Sequence, residues 1–352
     1  MFEHVRAGLG LGLATLAAVP AAAGIPELPE LRLQRGGLDI RLGGVVSGQT
    51  ALVEESRTGP ARLATGFDAS VRLNAEWVTA GGLLFGAYVD QGRISRETEV
   101  LQTGEAFAFV SSDFGRLEVG LQDGGNEQLA FRAPILGLGQ VRGDFSRYAG
   151  SQALLVAPDT GDAFKIVYLS PPVAGFRAGV SWAPKFQRNQ RDPDPRDRTI
   201  LTNAIEIGAN FQQPVGGWVL GVSSGYVTAQ AAPETGRQDL KAWNIGLDAR
   251  TGPLRIGGSY VDRGDSNRRT PGFNQREISA GVAWVMPRWG VSASMARTTA
   301  STERNRLFAV GGFYAINRNI QLRADITRFV ERETGRTPRR GVVGLMELAF
   351  LF

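Results

Sequence analysis

The final twelve residues, Gly341 to Phe352, constrain the fold of this chain more than any other stretch. Read with period two, Val342, Gly344, Met346, Leu348, Phe350 and Phe352 share one face, while Val343, Leu345, Glu347 and Ala349 share the other. In water, such a strand with an aromatic last residue would offer an aggregation edge. It is stable where it closes a barrel in lipid, because both edges are paired and one face meets hydrocarbon. The expected fold is all-β, a transmembrane antiparallel β-barrel.

The opposite end agrees. Met1 to Ala23 has a short n-region with Arg6, an apolar stretch from Ala7 to Val19, and the small-residue site Pro20-Ala21-Ala22-Ala23. That pattern reads as a cleaved secretory signal peptide, too short for a spanning helix. Beyond Ala23 no run of eighteen apolar residues occurs, so a membrane crossing must be made by strands. The expected layout is a signal peptide over 1–23, a short periplasmic segment over 24–37, and a barrel over 38–352.

Composition excludes several function classes. The only histidine is His4, inside the segment that export removes, and there is no cysteine. Ser-His and Cys-His catalysis and imidazole metal sites are therefore not available to the mature chain, and neither an enzyme nor a cofactor is expected. The net charge of +5 is carried by arginine, with lysine only at Lys165, Lys185 and Lys241. These arginines are dispersed rather than clustered on one element, which argues against nucleic acid. Mean hydropathy is only −0.11, as expected if alternating strands hide half their residues in a polar lumen.

Sixteen segments carry strand character: about 38–50, 66–77, 82–92, 103–112, 114–122, 163–170, 175–184, 201–212, 217–229, 240–250, 253–262, 275–286, 289–299, 305–315, 319–330 and 341–352. The clearest is 66–77, where Phe67, Ala69, Val71, Leu73, Ala75 and Trp77 alternate with Asp68, Ser70, Arg72, Asn74 and Glu76. Gaps alternate between short, as at Thr251-Gly252 and Pro287-Arg288, and long, as at 123–162 and 184–200. Short turns at one end and long loops at the other are the pattern of outer-membrane barrels, and an even count puts both termini at the short-turn end. A barrel of this size leaves an aqueous channel. Asn210, Gln212, Asn244, Asp248, Gln321, Arg323 and Asp325 fall at inward positions, and Trp77, Phe211, Trp218, Trp243, Tyr260 and Trp284 at outward ones.

The stretch Ser111-Ser112-Asp113-Phe114-Gly115-Arg116-Leu117-Glu118-Val119-Gly120 resembles the turn and strand before the third loop of the trimeric general porins of Gram-negative bacteria, particularly the alphaproteobacterial branch. The ending in Phe352 is similar to that family's assembly signal. The resemblance implies a homotrimeric, sixteen-stranded channel in the outer membrane for passive diffusion of small hydrophilic solutes. Its partners would be outer-membrane lipid, lipopolysaccharide and, through Phe352, the assembly machinery. It also implies that the third loop, here about 123–162, folds into the lumen. Acids on that loop, here Asp123, Glu127 and Asp144, would then face a basic wall of Arg72, Arg116 and Arg41. Opposed charges across a narrow waist create a transverse field that favours polar solutes. The arginine content keeps open a substrate-selective channel, possibly eighteen-stranded, for anionic solutes.

Overall fold

A computed structural model describes residues 29–57, 59–94, 102–138, 153, 155–158, 160–161, 163–187, 200–269 and 271–352. The signal peptide expected over 1–23 and the candidate acid Asp144 lie outside the described residues.

Alternation of apolar and polar side chains produces strands almost throughout. They are β1 (Glu30–Arg35), β2 (Leu38–Glu55), β3 (Gly59–Val78), β4 (Leu84–Ile94), β5 (Gln102–Ser112), β6 (Gly115–Leu121), β7 (Phe164–Leu169), β8 (Phe176–Gln187) and β9 (Ile200–Val215). The remainder are β10 (Trp218–Ala231), β11 (Leu240–Thr251), β12 (Leu254–Gly264), β13 (Gln275–Val285), β14 (Trp289–Thr299), β15 (Glu303–Ala315), β16 (Ile320–Glu333) and β17 (Arg339–Leu351). One short helix, α1 (Gly125–Leu129), follows β6. From β2 to β17 each strand pairs antiparallel with its sequence neighbour, and β17 pairs with β2 to close a ring of sixteen. An eighteen-strand ring is thereby ruled out.

The short segment over 24–37 contains β1, which pairs with the first residues of β2 from Glu30 opposite Gly43 to Arg35 opposite Leu38. β1 continues the line of β17 along the same edge of β2. Phe352 exchanges backbone bonds with Gly44, Gly44 N–H to Phe352 O at 2.7 Å and Phe352 N–H to Gly44 O at 3.1 Å. The alternation thus runs past the chain's last residue into a hairpin at the short-turn end.

Burial follows the period-two pattern. On β17 the outward Met346, Leu348 and Phe350 are half exposed, and the inward Val343, Leu345 and Ala349 are buried. Such a continuous apolar exterior on β3, β15, β16 and β17 suits hydrocarbon rather than water. The interior departs from a uniformly polar lumen. Near the long-loop end, inward Ala51, Val53, Leu307, Phe329, Val343 and Leu345 form a core with Leu138, Ala153, Leu155 and Val156, which belong to the segment between β6 and β7. A second core joins Ala157 and Ala163 to Leu201, Val227 and Leu240. Hydrophobic burial here drives a loop onto a wall, so part of the barrel is filled like a soluble core.

Candidate pore constriction

The segment between β6 and β7 enters the barrel at once. Gly124 precedes α1, whose residues pack on β7, β8, β9 and β10. The chain then crosses the inner wall strand by strand, and its backbone groups are met by wall side chains. Gly125 N–H donates to Ser181 Oγ of β8 at 3.2 Å, and Asn210 Nδ2 of β9 donates to Leu129 O at 3.0 Å. Phe131 N–H donates to Ser223 Oγ of β10 at 2.7 Å, and Leu136 N–H to Ser292 Oγ of β14 at 3.2 Å. Leu138 N–H reaches the Asp325 carboxylate of β16. Buried backbone groups need partners when water is excluded, and here the wall supplies them.

A buried ion pair ties the two ends of the loop together. Lys165 of β7 and Glu206 of β9 are both inaccessible, with Nζ 3.7 Å from Oε1. The same oxygen accepts Thr160 N–H at 3.1 Å and Thr160 Oγ1–H at 2.5 Å, while Lys165 Nζ donates to Gly161 O at 2.6 Å. The entering leg touches the same carboxylate, since a side chain on Gly124 would collide with it.

Beneath the first part of the loop lies a cavity lined by Arg116, Asp123 and Glu127 from the sequence-derived set. It is also lined by Glu105, Glu118, Arg132, Arg177, Asp248, Arg250 and Arg255. Arg116 binds Glu118 at 2.5 Å and stacks over the Phe109 ring at 3.6 Å. That cation–π contact fixes the guanidinium plane against the wall. Glu118 also accepts Gln128 Nε2 from α1 at 3.0 Å. Glu127 is bound by the loop's own Arg132 at 2.5 Å, and Asp248 by Arg250 at 2.7 Å. Acids and arginines therefore interleave on both loop and wall, instead of segregating to opposite sides. Arg177 donates from Nε to Ser170 O at 3.3 Å. Among the described residues, neither it nor Arg255 forms an ion pair.

The other two arginines of the sequence-derived wall do not line this cavity. Arg72 of β3 stands in register between Gly43 of β2 and Asp90 of β4. Arg41 lies below the level of Phe352, bound to Asp39 and Glu76, both at 3.0 Å. The residues that sequence reasoning missed had a readable signal. Arg177, Arg250 and Arg255 all adjoin short turns at inward phase, and Arg250 and Arg255 are direct cross-strand partners flanking Thr251 to Leu254.

A closed sixteen-stranded antiparallel barrel whose third long connection folds inward defines a diffusion channel of the outer-membrane type. The sequence model for Gram-negative porins matches residues 10–334, and the chain belongs to that family. It is an outer-membrane porin, a water-filled channel for passive diffusion of small hydrophilic solutes. No curated protein matches it by sequence. Among solved structures it is similar to an anion-selective porin from Comamonas acidovorans, with a TM-score of 0.60 and 15% identity over 89% of this chain and 100% of that one. An engineered porin of Rh. blastica gives 0.62 and 14% over 89% and 100%. The outer membrane channel DcaP of Acinetobacter baumannii gives 0.65 and 10% over 91% and 99%.

Proposed function

We propose that this porin works as a homotrimer whose waist is formed between the 123–162 loop and the barrel wall, with a weak preference for anions. One observation carries the preference. Arg177 and Arg255 line the cavity without an ion-pair partner among the described residues, whereas the neighbouring Arg116, Arg132 and Arg250 are each bound to a carboxylate. Unpaired guanidinium groups in a confined, poorly hydrated passage attract anions more than they would in bulk water. The anion selectivity of the Comamonas porin is compatible with this reading. Arg72 and Arg116 supply the basic wall, Asp123, Glu127 and Asp144 the loop acids, and Arg41 a guard at the rim. No step of this function calls for catalysis or a cofactor.

The test is reversal potential across a salt gradient in planar bilayers. Wild type is expected on the anion side. The double variant Arg177→Ala with Arg255→Ala moves toward cations by more than Arg72→Ala with Arg116→Ala, because Arg116 is already paired with Glu118. Shifts should be largest near 0.01 M salt, where the screening length is about 30 Å. Wild-type potentials in both double variants would refute the assignment. Saturable uptake of one anionic solute would favour the substrate-selective alternative over a general porin.

The remaining elements of the reading concern export and assembly. Residues 1–23 are the signal peptide, both termini face the periplasm, and lipid and lipopolysaccharide surround the trimer. Phe352 engages the assembly machinery and then completes the ladder with Gly44. Deleting Phe352 should lower the folded trimer in outer membranes while export continues. Normal trimer levels in the truncated protein would count against it.

A further inference from the structure

Six successive strands carry glycine at the inward position over which the loop passes. Gly179 of β8 and Gly208 of β9 lie under Gly125, and Gly225 of β10 lies under the Asn126 side chain. Gly246 of β11, Gly257 of β12 and Gly281 of β13 lie under Phe131, Arg132 and Ala133 in turn. A β-carbon on Gly257 would stand 2.5 Å from Arg132 O, and one on Gly208 2.6 Å from Gly125 O. At Gly246 the overlap with Phe131 O is deeper still. None of the six adopts a left-handed φ, so any residue could follow the backbone there. Glycine is required for space, not conformation. Glycine inside a strand weakens it and often marks where another backbone approaches closely. Here that backbone is the loop's own at Gly179, Gly208, Gly246 and Gly257, while at Gly225 and Gly281 the loop presents the Asn126 and Ala133 side chains.

We propose that these glycines form a rail that seats the loop against the wall, and that the missing side chains set the calibre of the pore. The proposal rests on the loop being the narrowing element. A side chain on the rail cannot push the closed wall outward, because each strand is bonded on both edges. The loop's ends are held by the Lys165–Glu206 pair and its return leg by apolar packing. The loop must therefore lift toward the lumen, and the passage narrows. The rail positions are then size-determining residues that touch no solute.

Two sets of variants test this in the full chain. Gly246→Ala and Gly257→Ala should each lower single-channel conductance by roughly a third and reduce the size limit for neutral sugars, as a narrower pore requires. Gly48→Ala and Gly344→Ala have nothing within 4 Å of the added carbon and should leave both unchanged. Because a rail variant can fail to fold, a second test reads the loop's seat directly by proximity. The β-carbon of Ala133 would be 3.3 Å from one on Gly281, near the roughly 3.5–4.5 Å that a disulfide needs. In this cysteine-free chain, Ala133→Cys with Gly281→Cys should crosslink spontaneously, which reports the loop's seat over β13 independently of its effect on conductance. Failure to crosslink in folded protein would overturn the rail. Crosslinking with unchanged conductance in folded Gly246→Ala and Gly257→Ala would overturn its control of calibre. A failure of the arginine assignment would appear separately, in reversal potentials alone.

Discussion

Two long connections of this barrel, one polar and one carrying many apolar residues, end in opposite places. The 265–274 loop after β12 stays outside and is held by itself and its neighbour. Asp265 accepts N–H groups from Gly272 at 2.7 Å and Asn274 at 2.9 Å, and the Arg268 guanidinium stacks on Phe273 at 3.8 Å. Gln238 and residues 267 and 268 exchange backbone bonds between adjacent loops. The described part of the loop after β6 is bonded to the wall. Its N–H groups go to Ser181, Ser223, Ser292 and Asp325 of the wall, and its apolar residues go to wall alanines, leucines and valines. A loop moves inward when the wall offers partners and space, and this wall offers both along one track.

The comparison can be broken most severely at the carboxylate that clamps both loop ends. Glu206→Ala leaves Lys165 buried with only the Gly161 carbonyl, and losing one partner of a buried pair costs about 3–5 kcal/mol. The barrel should still assemble, since its ladders are untouched. The loop should become accessible to protease in detergent and conductance should turn noisy. Glu206→Gln keeps the acceptor for Thr160 and should fall between the two. A quiet, protease-resistant Glu206→Ala channel would mean that the clamp is dispensable.

A smaller effect is expected from one wall bond. Ser223→Ala strands the Phe131 N–H under the loop, and an unsatisfied buried donor costs roughly 1–3 kcal/mol. Labelling of a cysteine placed at Ala133 should then be faster than in the parent, because local opening of the loop is easier. The outer loop, which shares no bond with Ser223, should be unaffected. Equal labelling rates in both backgrounds would show that the rail alone seats the loop.

How far these features were readable from sequence depended on their range. Strand positions were legible because period-two alternation is local. The match extends to the residues of β17 that face lipid and lumen. The ring closure was legible from the terminal strand and the even count. Arg116, Asp123 and Glu127 line the cavity, and each flanks one recognisable turn and loop in the sequence. Arg177 and Arg255 read as inward arginines beside short turns, but their place at the cavity depends on a loop that arrives from a distant part of the chain. The rail is the same case in stronger form. Each glycine alone reads as an ordinary weak point in a strand, and only the order of β8 to β13 around the ring brings the six together under one loop segment.

The outer loop supplies the weakest and most local prediction. Hydrogen bonds from the Asn274 and then the Gly272 backbone hold the Asp265 carboxyl below its ordinary value of 3.8. A depressed carboxylate stabilises the loop in full above that ordinary value, and the contribution fades as pH falls through the lower folded one. The group is fully exposed, so solvent screens the effect and only local order is at stake. In a carboxyl-carbon NMR titration of the detergent-solubilised porin, Asp265 should titrate below 3.8, and the Gly272 and Asn274 amide shifts should follow the same midpoint. Asp265→Asn should flatten both amide curves while leaving pore conductance at neutral pH unchanged, because none of these residues lines the lumen cavity. Titration at the ordinary value with flat amide shifts would show that the outer loop is ordered by its neighbours and not by its own carboxylate. The contrast with the wall-seated inner loop would then narrow to one of location.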